Sequence, residues 1–287
     1  MTHLIMLLLA VIFACGVRQT ATIPTGGLSE HLRYREPARW HRTLGWFLFS
    51  PLLLCTTALA LAYMGPCMQM ALWWEGWGSY TIAILFLAAA IVLGLSLTIE
   101  ARRSLHQVRR YPQLELHGKT TRLIEIPTPY VAQIGFWEPE LVVSQGLLDS
   151  LDSAHLEVVL VHEQGHLHYR DTFWFFWLGW LRRLTAWLPQ TEALWQELLI
   201  LRELRADRWA AQHVDSLLLA EALLSVVSAP QMQSENFCAS FSSAVVRNRL
   251  NERINALLEP DLSSDLEGRS WWLLLVLLPL LVIPFHS

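Results

Sequence analysis

Two uncharged apolar stretches constrain this chain more than anything else in it: Leu44–Met64, twenty-one residues, and Tyr80–Ile99, twenty residues. A helix rises 1.5 Å per residue, so about 20 such residues cross the hydrocarbon layer of a bilayer. Two shorter apolar stretches lie outside them, Leu4–Val17 and Trp271–Phe285, the second interrupted by Pro279 and Pro284. Either would span with help from flanking residues or local bilayer thinning. The first has two readings, a retained helix or a removed signal. A secretory signal opens with basic residues and Met1-Thr2-His3 offers none, which favours the retained helix. The expectation is a mainly α membrane protein with four transmembrane helices.

Basic residues in the loops set the orientation, because Lys and Arg collect on the cytoplasmic side. Segment 18–43 carries Arg18, Arg33, Arg35, Arg39 and Arg42, segment 65–79 carries none, and Arg102, Arg103, Arg109 and Arg110 follow the third stretch. The N-terminus is then outside, 18–43 inside, 65–79 outside, and 100–270 inside, where Arg269 agrees. This divides the chain into a three-helix membrane region (1–99), a cytoplasmic domain (100–270) and a C-terminal transmembrane helix (271–287). Charged residues are only 16% of the chain. Soluble domains average about 25%, so a strongly charged nucleic-acid binder is excluded and no direct nucleic-acid binding is expected. Four cysteines without a Cys-x-x-Cys pair exclude a disulfide scaffold and a cysteine zinc site.

Within 100–270, Leu123–Ile126, Val131–Phe136 and Leu141–Ser144 read as short strands punctuated by Pro127, Pro129, Gly135, Pro139 and Gly146. A strand from 131–144 left at a sheet edge would hold an extended substrate by strand addition; the other reading is an ordinary covered strand. Asp152 or Ser153 then caps a helix that runs into His162-Glu163-Gln164-Gly165-His166.

Residues four apart share a helix face, so His162 and His166 can reach one metal ion. Glu163, beside the first histidine, is placed to serve as general base toward water. A catalytic zinc takes a third protein ligand and keeps one position open. Glu203, with Asp207 one turn on, fits best: Glu203 as ligand, Asp207 as hydrogen-bond partner of a ligand imidazole. Glu192 and Glu197 are rivals without an acidic residue four positions later. One catalytic Zn2+ is expected.

The run Val159-Leu160-Val161-His162-Glu163-Gln164-Gly165-His166, then Arg170-Asp171, then Arg202-Glu203-Leu204-Arg205-Ala206-Asp207 resembles the BlaR/MecR family of membrane zinc peptidases. That family is related to HtpX-type and CAAX-prenyl proteases. Ile134-Gly135-Phe136-Trp137-Glu138-Pro139-Glu140-Leu141-Val142-Val143 resembles the family's strand before the zinc helix. The resemblance covers about 120–260, and the helix plan extends it. It implies a zincin-like α+β peptidase domain, a short sheet plus the zinc helix, inserted between transmembrane helices 3 and 4. It implies His162, His166 and Glu203 as zinc ligands and Glu163 as catalytic residue. It further implies a bacterial inner membrane, multi-pass, with the active site on the cytoplasmic side. The substrate would be a DNA-binding repressor of the BlaI type, cleaved in signal transduction. The family's best-known members continue into an extracellular penicillin-binding sensor domain, which is not expected here. Gln164-Gly165 replaces the commoner Leu-Ala, a change from which no functional consequence is read.

Arg249 and Arg253, on a helical run 245–258, are candidates for stabilising an oxyanion, with salt-bridged arginine as the other reading. The aromatic stretch 173–188 reads as a helix near 172–188 lying in the membrane interface, Arg182 and Arg183 among headgroups, or else as buried core. Met64, Cys67, Met68 and Met70 crowd into the start of the outer loop. Soft sulfur ligands select Cu(I), so a copper-responsive sensor is one reading and packing at the membrane edge the other. Two other functions stay open: a quality-control metalloprotease of membrane proteins, and a non-catalytic receptor with structural zinc.

Overall fold

The computed structural model describes residues 2–21, 36–66, 73–228, 249–258 and 271–281. The chain is mostly helical, with a small mixed sheet. It divides into two compact units, one of 1–96, 179–198 and 264–287, the other of 97–178 and 199–263.

The first unit contains α1 (Thr2–Gln19), α2 (Glu36–Met64) and most of α3 (Trp73–Val108). By length and composition, Ala38–Met64 and Trp77–Val108 are long and apolar enough to cross a membrane; α1 is shorter. Ala10 and Ala14 of α1 are small residues on one helix face, and they pack with Phe49, Leu53 and Leu54 of α2. Pro51, inside α2, has no N–H, which orphans the carbonyl four residues earlier. That carbonyl belongs to Phe47, and the buried Arg18 Nη2 donates to it at 2.9 Å. The fourth apolar stretch forms a 3-10 segment, Trp271–Leu277, running into a short helix, Leu278–Leu281. Thr56 Oγ1 of α2 donates to Val276 O.

The second unit is built on four strands among the described residues: β1 (Gln113–Leu116), β2 (Lys119–Ile124), β3 (Val131–Ile134) and β4 (Glu140–Ser144), in the order β1-β2-β4-β3. β4 pairs parallel with β2 and antiparallel with β3, which leaves β3 at the edge. β4 is sandwiched. Leu141 and Val143 join Leu147, Leu156, Val159 and Leu160 on one side; Val142 joins Val108, Ile124 and Ile134 on the other. That is the alternation a strand covered on both faces requires.

The strands differ in detail from the sequence expectation. β2 begins four residues before Leu123 and β3 stops at Ile134. β1 was not foreseen, because Gln113-Leu-Glu-Leu and Lys119-Thr-Thr-Arg carry little apolar signal. Their two-residue turn is His117-Gly118, both at positive φ. It is a primed turn without the Asn-Gly or Asp-Gly cue.

After β4, Ser144 caps α4 (Gln145–Ser150) by accepting from Leu147 N. Its hydroxyl also accepts from Tyr130 N and donates to Thr128 O, pinning the approach to β3. Asp152 caps α5 (Ser153–His168), accepting from His155 N. There follow α6 (Asp171–Leu184), α7 (Thr191–Ala211), α8 (Ser216–Ser228) and α9 (Leu250–Leu258). α6 buries Phe175, Leu178, Leu181 and Leu184 and exposes Trp174 and Trp177, so its aromatic run is two-faced. Its Trp180 Nε1 donates to Ala90 O of α3. Met64 packs against Ala58, Leu61 and Ala83, while Cys67, Met68 and Met70 lie outside the described residues.

Candidate metal centre

α5 is capped at Asp152, and ten residues on, its buried face presents His162 and His166, with ring centroids 4.8 Å apart at 90°. α7 presents Glu203 against them. Its Oε2 lies 3.5 Å from His162 Nε2 and 3.7 Å from His166 Nε2. One ligand atom from each of the three residues falls within 4.8 Å of the others, and all three residues are buried. Gly165 makes the approach of α5 to α7 possible: a Cβ there would meet Ala206 O at 3.1 Å and Ala206 Cα at 3.2 Å.

Each histidine is held from behind. His166 Nδ1 hydrogen-bonds Asp171 Oδ2 at 2.8 Å, and His162 Nδ1 lies 2.9 Å from Asp207 Oδ1 as an ion-pair contact outside hydrogen-bond alignment. A carboxylate at Nδ1 keeps the proton of a neutral imidazole there and leaves the Nε2 lone pair for a metal. Asp171 reaches back because the chain turns sharply after α5, with Arg170 at φ 53. Arg205 bonds its other oxygen. In the sequence Asp171 stands out only as part of Arg170-Asp171; its distance of five residues from His166 was the signal available.

Three arginines complete the cluster. Arg202 binds Glu203 Oε1 through Nε at 3.0 Å and Nη2 at 2.6 Å, and its guanidinium lies over the Phe175 ring. Arg253, from α9, binds Asp207 in bidentate fashion at 2.6 and 2.7 Å, with Nη1 3.4 Å from Glu203 Oε2. The guanidinium of Arg253 is thus engaged by two carboxylates of the centre, and Arg249 pairs with Glu252 at 2.5 Å. Glu192 pairs with Arg182 and Glu197 with Arg39, so neither rival carboxylate joins the imidazoles. His168 stacks on Trp209, off the ligand face.

Burial opposes charge on His162, His166, Glu203 and Asp207, and their partners overcome it. Burial pulls both imidazoles down, but Asp207 raises His162, and Glu203 with Asp171 raises His166. Burial pushes the carboxyls up, but Arg202 and His166 hold Glu203 well below the ordinary range, and Arg253 does the same for Asp207. Burial and then the Glu163 carboxylate raise the Tyr130 phenol, whose buried hydroxyl has no hydrogen-bond partner among the described residues. Tyr130 was not foreseen, and no motif marks it.

The donor set could hold a metal ion. Four carboxylates, Glu163, Asp171, Glu203 and Asp207, face three guanidiniums, Arg202, Arg205 and Arg253, leaving one negative charge for a cation to offset. Ligand atoms of a tetrahedral site with bonds of about 2.0–2.1 Å stand roughly 3.3 Å apart, close to the 3.5 and 3.7 Å found here. No family model matches the chain, and no curated protein matches it either.

Proposed function

We propose that this chain is an integral-membrane zinc endopeptidase of the BlaR/MecR type. The single observation behind the reading is that Glu203 of α7 meets His162 and His166 of α5, the helix that also carries the buried Glu163. Two imidazoles and a carboxylate also suit non-haem iron. The glutamate directly after the first histidine favours hydrolytic zinc, because hydrolysis needs a base beside the metal and oxygen chemistry does not. Zinc, when bound, supplies a Lewis acid for the scissile carbonyl and acidifies water toward a pKa of about 7.

The protein's residues do the rest. Glu163 accepts the proton of the attacking water and delivers it to the leaving amine. Asp207 and Asp171 fix the imidazoles, and Arg202 holds one oxygen of Glu203 so that the other faces the ion. β3, the edge strand, offers free backbone groups to an extended substrate.

α2 and α3 span the bilayer in this reading, with the outer segments completing four spans and the zinc domain on the cytoplasmic side. The apolar side chains Leu85, Ile91, Val92 and Leu95 that α3 exposes favour lipid around it. α6 is an interfacial element, exposing Trp174 and Trp177 and tied to α3 through Trp180. The substrate is a cytoplasmic DNA-binding repressor, which separates this reading from a quality-control protease or a non-catalytic receptor. Glu163→Gln tests the chemistry: purified protein should keep stoichiometric zinc and lose cleavage of the repressor by about 100-fold or more. Cleavage at the wild-type rate overturns the assignment.

A further inference from the structure

Beyond its uncharged run, α3 continues through Arg102, Arg103, His106 and Gln107 to its end at Val108, and Arg109 and Arg110 follow in the turn after it. The fates of these side chains differ. Arg109 Nε donates to Glu140 Oε1 at 2.6 Å, and Arg122 takes the other oxygen of the same carboxylate. Arg102, Arg103 and Arg110 are exposed and make no ion pair or hydrogen bond among the described residues. With His106 and Gln107 they line an open groove of about 530 Å³. Positions 102 and 106 fall on one helix face, and Arg110 continues the stripe from the turn two residues past the helix end. None of the three arginine side chains makes a contact among the described residues that would support the helix. The stripe therefore does nothing for the fold, unlike Ser104 and Val108 on the opposite face, which are buried.

We propose that this stripe binds the phosphate of an anionic glycerophospholipid at the membrane surface where α3 leaves the bilayer. The inference rests on the reading of α3 as a span. Arg102 comes three residues after Ile99, where the uncharged run ends, so its side chain lies at headgroup depth. A guanidinium presents paired donors that match phosphate oxygens, and three of them in one groove outmatch water for an anion. Basic clusters just cytoplasmic of a span collect anionic lipid for this reason. The same helical turns carry Val108 into the sheet core with Ile124, Ile134 and Val142. A lipid held at the stripe therefore holds the sheet, and its edge strand β3, at the membrane surface. An acidic protein is the competing occupant; lipid is favoured because the stripe continues directly from the apolar side chains that α3 exposes.

The test uses the full chain in detergent micelles, titrated separately with phosphatidylglycerol, phosphatidylcholine and soluble glycerol phosphate, with bound species read by native mass spectrometry. The expected result is selective retention of phosphatidylglycerol, weakened at least ten-fold in the triple variant Arg102→Gln/Arg103→Gln/Arg110→Gln and largely kept in the matching triple Lys variant. Equal binding by wild type and the Gln variant overturns the proposal, as does equal retention of phosphatidylcholine. Glycerol phosphate binding as tightly as the lipid overturns the lipid assignment in favour of a free phosphate ester. An acidic peptide displacing phosphatidylglycerol at low micromolar concentration overturns it in favour of a protein. Zinc content and repressor cleavage on the same preparations report on the peptidase reading alone, and alkaline extraction of membranes reports on the span. Lost lipid selectivity with intact cleavage sinks only the lipid site.

Discussion

Glu197 and Glu203 sit six residues apart on α7, both nearly inaccessible at 2% and 5% exposure, yet their surroundings give them different work. A buried carboxylate needs a compensating charge. Glu197 obtains it from Arg39 of α2, whose Nε lies 2.5 Å from Oε1, at a side chain also nearly buried. Glu203 obtains it from Arg202, on Oε1, while Oε2 faces two imidazole nitrogens that are themselves backed by aspartates. Residue type, helix and burial are the same. What differs is whether the second oxygen meets another set of donors able to share a cation.

The sharpest way to break this contrast is to neutralise each carboxylate. Glu203→Gln removes one of the three proposed ligands, so metal affinity should fall by more than the roughly 100-fold that loss of an outer partner causes. It should also leave Arg202 and the nearby Arg253 nitrogen short of a buried counter-charge. Glu197→Gln should lower stability by weakening the buried pair with Arg39, while leaving metal stoichiometry at one. Competitive titration against a chelator, with thermal denaturation in parallel, measures both. If Glu197→Gln empties the site and Glu203→Gln does not, the ligand set is wrong.

Next come the carboxylates behind the histidines. Asp207→Asn and Asp171→Asn each keep the shape but weaken the grip on Nδ1, and each should reduce metal affinity by about 10–100-fold. Asp207 is also bonded twice by Arg253, whereas Asp171 is bonded by Arg205, a side chain with more exposure. Asp207→Asn should accordingly show the larger loss of stability in calorimetry. Equal metal affinity in wild type and both variants would mean the imidazoles hold their tautomers unaided.

A smaller effect follows from pH. In the metal-free protein His166 is raised above its unfolded value of about 6.5, mainly by Glu203 working against burial. Its contribution to stability is complete below pH 6.5 and is lost as pH rises through the folded value. Glu203 is shifted downward, so its contribution is present above about pH 4.3 and lost only as pH falls below that. A metal needs the imidazoles deprotonated, so binding near pH 7 should release about one or two protons. Calorimetry in buffers of differing ionisation enthalpy counts them. Melting of metal-free and zinc-loaded protein at pH 6 and pH 9 should show the gap widening at the higher pH; a gap that narrows would contradict the assigned charge states.

These contrasts also show what the chain discloses without a structure. His162 and His166 are legible because their spacing is local to one helix, and Glu203 because Asp207 repeats the same spacing one turn on. The partner that occupies Glu197, Arg39, lies 158 residues away and could not be read from α7. The same holds for Arg253, 46 residues from Asp207, whose helix and charge are visible but whose partner is not. Among the strands, β4 is legible as a continuous apolar run, and β1 is not, since a hairpin of alternating polar residues looks like a loop. Gly165 is the plainest case: as a departure from Leu-Ala it carries no meaning in the sequence, and only the position of Ala206 gives it one.

Gly165→Ala therefore probes how closely α5 and α7 must approach to bring Glu203 to the histidines. Alanine in a helix interior gains about 1 kcal/mol over glycine. Against this, its Cβ would stand 3.1 Å from Ala206 O and 3.2 Å from Ala206 Cα, both backbone atoms of α7, so α7 must yield by a few tenths of an ångström. Interiors are close-packed and resist such shifts, and overpacking by a methyl group cancels a gain of this size. Net stability should change by less than about 1 kcal/mol, while metal affinity falls a few-fold, because Glu203 lies one turn from Ala206 on the displaced helix. Gly165→Leu, with three more carbons at the same place, should separate the two quantities further, lowering both. If Gly165→Ala instead binds metal more tightly than wild type, the helices relax together at no loss of geometry, and the glycine is not what sets the distance between the imidazoles and Glu203.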